Sequence, residues 1–269
     1  MSRTLKRWIY PLLLGAGLGF VMLSGAISPV QAAAPAAVLK EEAGAHPKAR
    51  MAARVAIIID DVGYLKRPAE ELLQVPAHLT FSVLPFTPYA KEFALAAHKK
   101  GFDVMLHLPM PTLRGKRAIG PGMIAKDWPE SEIIRQLDAD FAAVPGLEGV
   151  NNHMGTAGPR DRGYMTAILK ELKRRGLFYV DSLTGCSVAE ECARLERVPF
   201  AKRDVFIDHF RKLDDNESSI RQLIQIALKK GSAIGIGHPR EGTATEIRAM
   251  LPAFQKAGVE IVSVAKLVQ

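Results

Sequence analysis

The sequence predicts an α/β fold in which βα units surround a parallel sheet. Short apolar runs rich in β-branched residues alternate with longer amphipathic stretches, which is the pattern that such units produce. The chain has 269 residues, of which 48% are hydrophobic and 24% charged. It shows no internal repeat with a period of about 20 to 50 residues. One large domain therefore fits the sequence better than a disordered chain or a repeat array.

Eight segments have the length and composition of strands. They cover residues 55–60, 79–85, 103–110, 149–155, 177–182, 205–210, 232–239 and 260–268. Helices are predicted between them, with 88–101 and 161–176 as the clearest examples. Each of these two ends on a glycine, after Lys or Arg in the last turn, which is typical of a helix C-terminus.

The first 32 residues have the features of an export signal. Arg3, Lys6 and Arg7 precede a long apolar run, and Ala32 ends a Val-Gln-Ala triplet that suits signal cleavage. We therefore predict a signal peptide over 1–32 and a mature protein that is periplasmic or secreted. The alternative is an uncleaved membrane anchor, since the run is about long enough to span a bilayer.

Residues 33–51 are rich in Ala, Pro and charge and have no sustained period, which predicts a flexible linker before a domain over 52–269. Signal cleavage would remove three basic residues and lower the net charge from +8 to +5, a modest surplus that would suit contact with an anionic envelope polymer. Nucleic acid is not an expected partner, because the chain has no dense Lys/Arg run interleaved with aromatic residues. Export slightly favours a disulfide between Cys186 and Cys192, whereas a reducing compartment would leave two thiols.

Acidic and imidazole side chains collect at the carboxyl ends of the predicted strands. These residues are Asp60, Asp61, His107, His153, Asp181, Asp208, His209 and His238. The carboxyl ends of the strands in a parallel barrel share one face, where barrel enzymes assemble their active sites. A single His or Asp at a strand end is ordinarily a turn or capping residue, but six strands with the same feature predict a site.

Two adjacent carboxylates at a strand end repel each other unless a cation or a shared proton relieves the repulsion. Neighbouring side chains alternate along a strand, so Asp60 and Asp61 can have different roles. One Asp would bind a metal ion, with His107 and His153 as the other ligands, and the other Asp would accept a proton. One carboxylate and two imidazoles form a common catalytic zinc site, although cobalt, nickel and manganese also suit such ligands.

Two other enzyme classes lack their signatures here. The sequence contains no G-x-S-x-G motif, which disfavours a serine esterase. No G-x-G-x-x-G follows the first predicted strand, which disfavours dinucleotide binding.

Five motifs in order carry a family resemblance: VAIIIDDVGY, MLHLPM, GVNNHMGT, YVDSLT and GIGHPR. Together they resemble the divergent polysaccharide deacetylase (YibQ-like) family, a remote branch of the NodB-type carbohydrate esterases. The resemblance implies a distorted (β/α) barrel of seven or eight mainly parallel strands. It also implies metal-dependent N- or O-deacetylation of a polysaccharide, with peptidoglycan as one possible substrate.

The resemblance assigns roles to four residues. It implies that Asp60 is the general base, Asp61 a metal ligand, Asp181 an acid that orients or tunes catalytic groups, and His238 the general acid. The residue-level alternatives are a buried carboxylate that accepts backbone N–H groups for Asp60, a turn or cap for Asp181, and a packed loop histidine for His238.

The sequence departs from the main NodB-type branch at the second motif, because His107 is not followed by a second His in an H-x-x-x-H arrangement. His153, from the next strand, is the best candidate for the missing ligand. This departure leaves a second reading open, in which the chain is a non-catalytic envelope protein that binds a glycan or a protein.

Three further residues are candidates for substrate binding. Asn152 could orient the substrate, although Asn at a strand end is often a turn residue. Arg160 and Arg240 could bind a carboxylate or polarise an acetyl oxygen, although exposed arginines are common.

Overall fold

The computed structural model of the chain describes residues 52–113, 119–208 and 213–269. The predicted signal peptide and linker lie outside these ranges, as does His209, so export and the domain boundary stay predictions. Within the described ranges, no helix is both long enough and apolar enough to cross a bilayer.

Strands and helices alternate along the chain as the sequence predicts. The strands are β1 (Ala53–Val62), β2 (Leu79–Val83), β3 (Asp103–Met110), β4 (Gly149–Met154), β5 (Phe178–Asp181), β6 (Phe200–Lys202), β7 (Val205–Phe206), β8 (Ser232–Gly237) and β9 (Val259–Ile261). The α-helices are α1 (Lys66–Leu72), α2 (Ala90–Lys99), α3 (Glu130–Ala143), α4 (Arg162–Arg175), α5 (Ala189–Glu196), α6 (Leu213–Lys230) and α7 (Thr243–Ala257). Short 3-10 helices cover Gly158–Arg160 and Val264–Lys266.

The strands form one parallel sheet in the order β6-β5-β4-β3-β2-β1-β8-β7. β9 pairs with the first residues of β1, before β2 takes up its pairing at Ile57. The predicted parallel sheet is confirmed.

The two ends of the sheet order are joined by a single short segment, residues 200–206. Its first half pairs with β5 and its second half with β8. At the changeover, the Arg203 N–H donates to the Asp181 carbonyl at 3.0 Å and the Asp204 N–H donates to the Ile234 carbonyl at 2.8 Å. The sheet therefore curls into the predicted distorted (β/α) barrel, with residues 200–206 as its seam.

The barrel interior is apolar at the end where the strands begin. Alternate residues of β1, β3, β5 and β8 form this inner cluster, and side chains from the C-terminal segment complete it. Its buried members are Ala56, Ile58, Met105, Phe178, Val180, Ile234, Ile236, Val262, Val264 and Leu267. The intervening residues of the strands face outward and pack under the helices in a second, larger core.

Two predicted helices have the expected ends. Gly101, just after α2, and Gly176, the C-cap of α4, both have positive φ angles, as a left-handed helix terminus requires. Asp161 caps the start of α4 through a 2.9 Å hydrogen bond from the Tyr164 N–H.

The strand predictions were wrong at three places. The sequence missed β6, which has only three residues, and β7 ends at Phe206 rather than at 210. The predicted strand over 260–268 ends at Ile261 and is followed by a 3-10 helix, because Val264 and Leu267 pack into the inner cluster. The disulfide that export would favour is not formed, since Cys186 is an exposed free thiol and Cys192 a buried one.

Candidate metal centre

A polar layer lies directly above the apolar cluster inside the barrel. It begins two residues further along the strands, where Asp60 follows Ile58 on β1 and His107 follows Met105 on β3. Side chains two residues apart on a strand face the same way. The change from apolar to polar interior therefore follows from the sequence of each strand.

Asp61 also reaches this layer, against the expectation that neighbouring side chains point apart. The pairing register of β1 with β2 shifts between Ile59 and Val62, and Asp61 adopts φ 57°. Such a bulge redirects a side chain, and Asp tolerates the left-handed region better than most residues. Both carboxylates consequently face the same site.

The three predicted metal ligands lie together. The Asp61 Oδ1 atom is 3.1 Å from His107 Nε2 and 2.9 Å from His153 Nδ1, and the two ring nitrogens are 3.2 Å apart. Within the described ranges, these three residues form a group whose ligand atoms all lie within 4.8 Å of one another. One carboxylate and two imidazoles can hold a divalent ion and leave a position open, so the donor set fits the expected metal.

A hydrogen-bond chain orients His107. The His107 Nδ1 atom donates to Asn151 Oδ1 at 2.7 Å, and the Asn151 amide donates to Asp60 Oδ1 at 2.7 Å. The hydroxyl of Ser82 donates to the same Asn151 oxygen. Because Nδ1 keeps its proton for Asn151, Nε2 is the ring nitrogen that can bind a metal ion once it has lost its own proton.

The two carboxylates differ in environment. Burial raises the pKa of Asp60 above its ordinary value, and this outweighs the nearby charges of His107 and His238. Burial also acts to raise the pKa of Asp61, but hydrogen bonds from His107 and His153 hold it well below its usual range. Asp61 is thus a carboxylate at any physiological pH, as a ligand needs to be.

His107 is strongly affected by both acids. Burial acts to lower its pKa, but the charge of Asp60 and the hydrogen bond with Asp61 raise it to about 9. Without a metal ion, the imidazole would therefore be protonated at neutral pH, and binding of a cation would have to displace that proton.

His238 stands beside the three candidate ligands and is held by Asp208. Its Nδ1 lies 3.0 Å from Asp208 Oδ1, and its backbone N–H donates to Asp208 Oδ2 at 2.8 Å. The other ring nitrogen, Nε2, lies 3.9 Å from Asp61 Oδ2. Burial acts to lower the pKa of His238, but the hydrogen bond with Asp208 raises it above its usual value. The sequence placed Asp208 only among the polar side chains at strand ends, and the structure shows that it orients His238.

An open cleft of about 330 Å³ leads to these groups. Its polar lining consists of Asp61, His153, His238 and Arg240. Arg240 donates to the Asp208 carbonyl oxygen at 2.6 Å, and its side chain is 51% exposed. A substrate in the cleft would therefore contact two of the candidate ligands, His238 and one cationic side chain.

The sequence from 57 to 268 matches the profile of a family described as divergent polysaccharide deacetylase. The chain belongs to this family. It is 33% identical to the protein YibQ of Escherichia coli (strain K12) over 202 residues, which are 75% of this chain and 63% of YibQ. The match thus spans less than two thirds of that relative, which is described as uncharacterized.

Solved structures show the same fold. An uncharacterized protein from Agrobacterium tumefaciens C58 superposes with a TM-score of 0.77 at 21% identity, over 82% of this chain and 91% of the other. The catalytic domain of a peptidoglycan N-acetylglucosamine deacetylase from Eubacterium rectale ATCC 33656 gives a TM-score of 0.50 at 13% identity, over 78% and 88%. At these identities the likeness concerns the fold alone.

For three further predicted site residues, the described contacts are with groups other than the three candidate ligands. The Asp181 carboxylate accepts the Leu183 N–H at 2.8 Å, which is a turn contact. The Asn152 Oδ1 atom accepts from the Ser182 N–H and its amide donates to the Met154 carbonyl, both at 2.9 Å. Arg160 is exposed in a 3-10 helix, and no described contact joins it to the site.

Two residues of the site, Asn151 and Ser82, could hardly be identified from the sequence. Asn151 resembled its neighbour Asn152, but strand alternation turns only Asn151 toward His107. Ser82 belongs to none of the five motifs. It lies two residues beyond Thr80 on β2, and this spacing of two polar residues on one face of a strand is the only sequence signal that could have indicated it.

Proposed function

We propose that this protein is a metal-dependent hydrolase that removes acetyl groups from a polysaccharide of the cell envelope. The observation that carries the proposal is the convergence of Asp61, His107 and His153, whose ligand atoms lie within 4.8 Å of one another. Asp60 and His238 both lie within 4 Å of one of these ligands. Membership of the divergent polysaccharide deacetylase family supports the reaction class. The fold shared with a peptidoglycan deacetylase is consistent with it.

Asp61, His107 and His153 would hold the ion, for which zinc is our first expectation. A bound divalent ion polarises a carbonyl group and lowers the pKa of water, which are the two requirements for hydrolysis of an acetyl group. The orienting contacts of Asn151 keep the His107 ring in the tautomer that can bind metal.

Asp60 would accept the proton of the attacking water. Its carboxylate is buried, with Oδ2 3.8 Å from His107 Nε2, so it lies beside the candidate ligands without being one of the three. The raised pKa of Asp60 makes it a stronger base than an ordinary carboxylate. Its bond from Asn151 fixes the direction of the second oxygen.

His238 would protonate the leaving nitrogen or oxygen. Asp208 holds Nδ1, so Nε2 is the nitrogen that faces the cleft and can donate a proton. The pKa of His238 is raised, which keeps a larger fraction of the ring protonated near neutral pH. Asp208 acts here through His238, as a positioning residue.

The test compares metal content and acetate release for the wild type, Asp60→Asn and Asp61→Asn. Suitable substrates are acetylated chito-oligosaccharides and peptidoglycan fragments. We expect Asp60→Asn to keep its metal and lose about 10²- to 10⁴-fold in kcat, as for removal of a general base. Asp61→Asn should lose the metal, and Asn tolerates the left-handed φ at this position.

Asp161→Asn at the start of α4 is a matched control that should change neither quantity, because Asn caps helices as well as Asp does. A wild type that binds no divalent ion after reconstitution would overturn the metal-dependent mechanism. A wild type that binds metal but releases no acetate would favour the non-catalytic binding protein.

We propose a periplasmic or secreted location on the basis of the sequence of residues 1–32. Fractionation of cells that express the full chain, with and without those residues, tests it. Recovery of both forms in the cytoplasm would exclude export.

A further inference from the structure

The cleft beside the candidate metal centre has an apolar wall in addition to its polar lining. The wall consists of Tyr64, Leu65, Leu84, Ile119, Met154 and Pro239. Leu84 and Ile119 are each only 2% exposed, whereas the side chains nearer solvent are 41 to 55% exposed. Tyr64 is the one aromatic residue among these six, and the other five have apolar side chains without an aromatic ring.

Exposed apolar side chains gather at this cleft. Seven large hydrophobic residues are exposed in the described part of the chain, and three of them, Tyr64, Leu65 and Met154, line the cleft. Isolated exposed hydrophobic residues are ordinary, whereas a group of them around one concave surface marks a binding site.

Met154 adds a second, independent observation. Its backbone has φ 57°, a left-handed conformation that is unfavourable for a long side chain. Its carbonyl oxygen accepts a 2.9 Å hydrogen bond from the Asn152 amide and another from the Thr184 hydroxyl, and these contacts hold the conformation. A strained backbone that is fixed in place and presents an apolar side chain to solvent points to a functional role.

We propose that this wall binds the acyl chain of the substrate, and that the enzyme prefers acyl groups longer than acetyl, of about four to eight carbons. The inference rests on the proposed hydrolase function and concerns which acyl groups the enzyme removes fastest. A cleft of about 330 Å³ is of the size that holds a drug-sized ligand, and an acetyl group fills little of it.

The lining also selects among possible occupants. A sugar ring is typically held by stacking on aromatic faces, and Tyr64 is the one aromatic residue among the lining side chains of the described cleft. An acyl chain needs flexible aliphatic contacts, which Leu65 and Met154 supply. The polar part of the cleft, with Arg240, His153 and His238, complements the carboxylate that hydrolysis produces.

The reaction is ordinary acyl hydrolysis. Water adds its oxygen to the carbonyl carbon, and the bond from that carbon to the sugar nitrogen or oxygen breaks. Asp60 takes one proton from the water and His238 gives one to the leaving atom. The products are a free fatty carboxylate and an amine or alcohol, with no oxidant or co-reactant beyond water.

The first experiment measures kcat/KM of the zinc-reconstituted full chain on 4-nitrophenyl acetate, butanoate, hexanoate and octanoate. Each added methylene that is buried should increase kcat/KM about threefold to fourfold, at least as far as hexanoate. Acetate as the best substrate, or an equal rate on all four esters, would overturn the inference.

Two variants connect that preference to the wall. Leu65→Ser removes an aliphatic side chain at the N-cap of α1, where Ser is a better capping residue than Leu. Met154→Asn removes the flexible apolar side chain of Met154, and Asn tolerates the left-handed backbone at this position. We therefore expect both variants to stay folded. Both should flatten the chain-length series, measured as the ratio of kcat/KM on the hexanoate ester to kcat/KM on the acetate ester.

Leu195→Ser on α5 is the control, because Leu195 is 58% exposed, close to the 55% of Leu65, and does not line the cleft. This variant should leave the series unchanged. A series that stays as steep in Leu65→Ser and Met154→Asn as in the wild type would place the acyl chain elsewhere and refute the assignment.

A binding measurement separates failure of this inference from failure of the proposed function. Hexanoate should bind at least about tenfold more tightly than acetate by calorimetry, and the difference should shrink in Leu65→Ser. If no ester is hydrolysed but hexanoate binds with this preference, the hydrolase fails and the acyl-binding cleft stands. If acetyl esters are hydrolysed and hexanoate has no advantage, the hydrolase stands and the acyl preference is wrong.

Discussion

The two ends of the barrel use the same residue types for different purposes. Near the start of the strands, His78 Nε2 contacts Asp103 Oδ1 at 3.2 Å, and the hydroxyl of Ser263 donates to the other oxygen of Asp103. At the carboxyl ends, His107 lies 3.1 Å from Asp61. The His78 side chain is 38% exposed and pairs with Asp103, whereas His107 is 3% exposed, with Nε2 3.8 Å from Asp60 Oδ2 and 3.1 Å from Asp61 Oδ1.

The difference teaches that convergence, rather than residue type, makes the candidate site. The contact between His78 and Asp103, with Ser263, ties the C-terminal segment to the beginning of β2 and β3, over an interior that is apolar. At the other end, several strands direct polar side chains to one point, so repulsion and burial change their pKa values. In parallel barrels, the first kind of end serves stability and the second serves chemistry.

A polar residue in the apolar layer would break this separation with the largest effect. Ile58→Asn places an amide among buried aliphatic side chains, where it finds no partner in the inner cluster. We expect the free energy of unfolding to decrease by about 3 to 5 kcal/mol, from the lost packing and the unsatisfied amide. Urea denaturation measures it.

Leu195→Asn on the exposed side of α5 is the control, and its effect should stay within about 0.5 kcal/mol. A loss below about 1 kcal/mol for Ile58→Asn would mean that the inner cluster contributes less than its burial indicates.

Removal of the orienting amide tests the polar layer in the same way. Asn151→Leu takes away the acceptor of His107 Nδ1 and the donor to Asp60. Metal affinity, measured by calorimetry with zinc or cobalt, should decrease about 10- to 100-fold. Ser82→Ala leaves the contact between His107 and Asn151 in place and should have a smaller effect. Equal affinities for the wild type and Asn151→Leu would show that the orientation of His107 is fixed in another way.

Metal binding should depend on pH because His107 must lose a proton. The metal-free pKa of His107 is about 9, so between about pH 7 and 8.5 affinity should rise about tenfold per pH unit and level off above the pKa. Competition with a chelator at fixed ionic strength measures the slope. Asp60→Asn removes a charge that raises this pKa, so its slope over the same interval should be shallower. A pH-independent affinity would contradict the protonation of His107.

The smallest effect concerns the opposite end of the barrel. Ser263→Ala removes the hydroxyl that donates to Asp103, and we expect a loss of about 1 kcal/mol in the free energy of unfolding. Metal affinity should be unchanged, because Ser263 lies at the apolar end. A change in affinity of more than about threefold would show that the two ends are coupled, since about 0.6 kcal/mol is already beyond the expected error.

The fold was largely readable from the sequence, because strand composition and helix termini are local signals. The exceptions depend on distant contacts. β6 has three residues and exists because its neighbours β5 and the C-terminal Gln269 supply hydrogen-bond partners. The segment from Val264 leaves the strand conformation because it closes the interior, which the local pattern does not encode.

The candidate ligands were also readable, since strand ends of a parallel barrel meet on one face. What the sequence could not give is the bulge that turns Asp61 beside Asp60, which arises from the register of two strands. Nor could it distinguish Asn151 from Asn152, because this depends on which side of β4 faces inward. Asp208 could not be identified as the partner of His238 either, because it reaches His238 only through the pairing of β7 with β8.

The seam formed by residues 200–206 also concentrates a risk. Because one segment of seven residues completes both ends of the sheet order, its displacement would uncover the backbone donors and acceptors of β5 and β8 together. Uncovered strand edges are templates for aggregation. A proteolytic cut or an insertion in this segment would thus expose two unpaired strand edges at once. We expect aggregation of the protein to start from this segment.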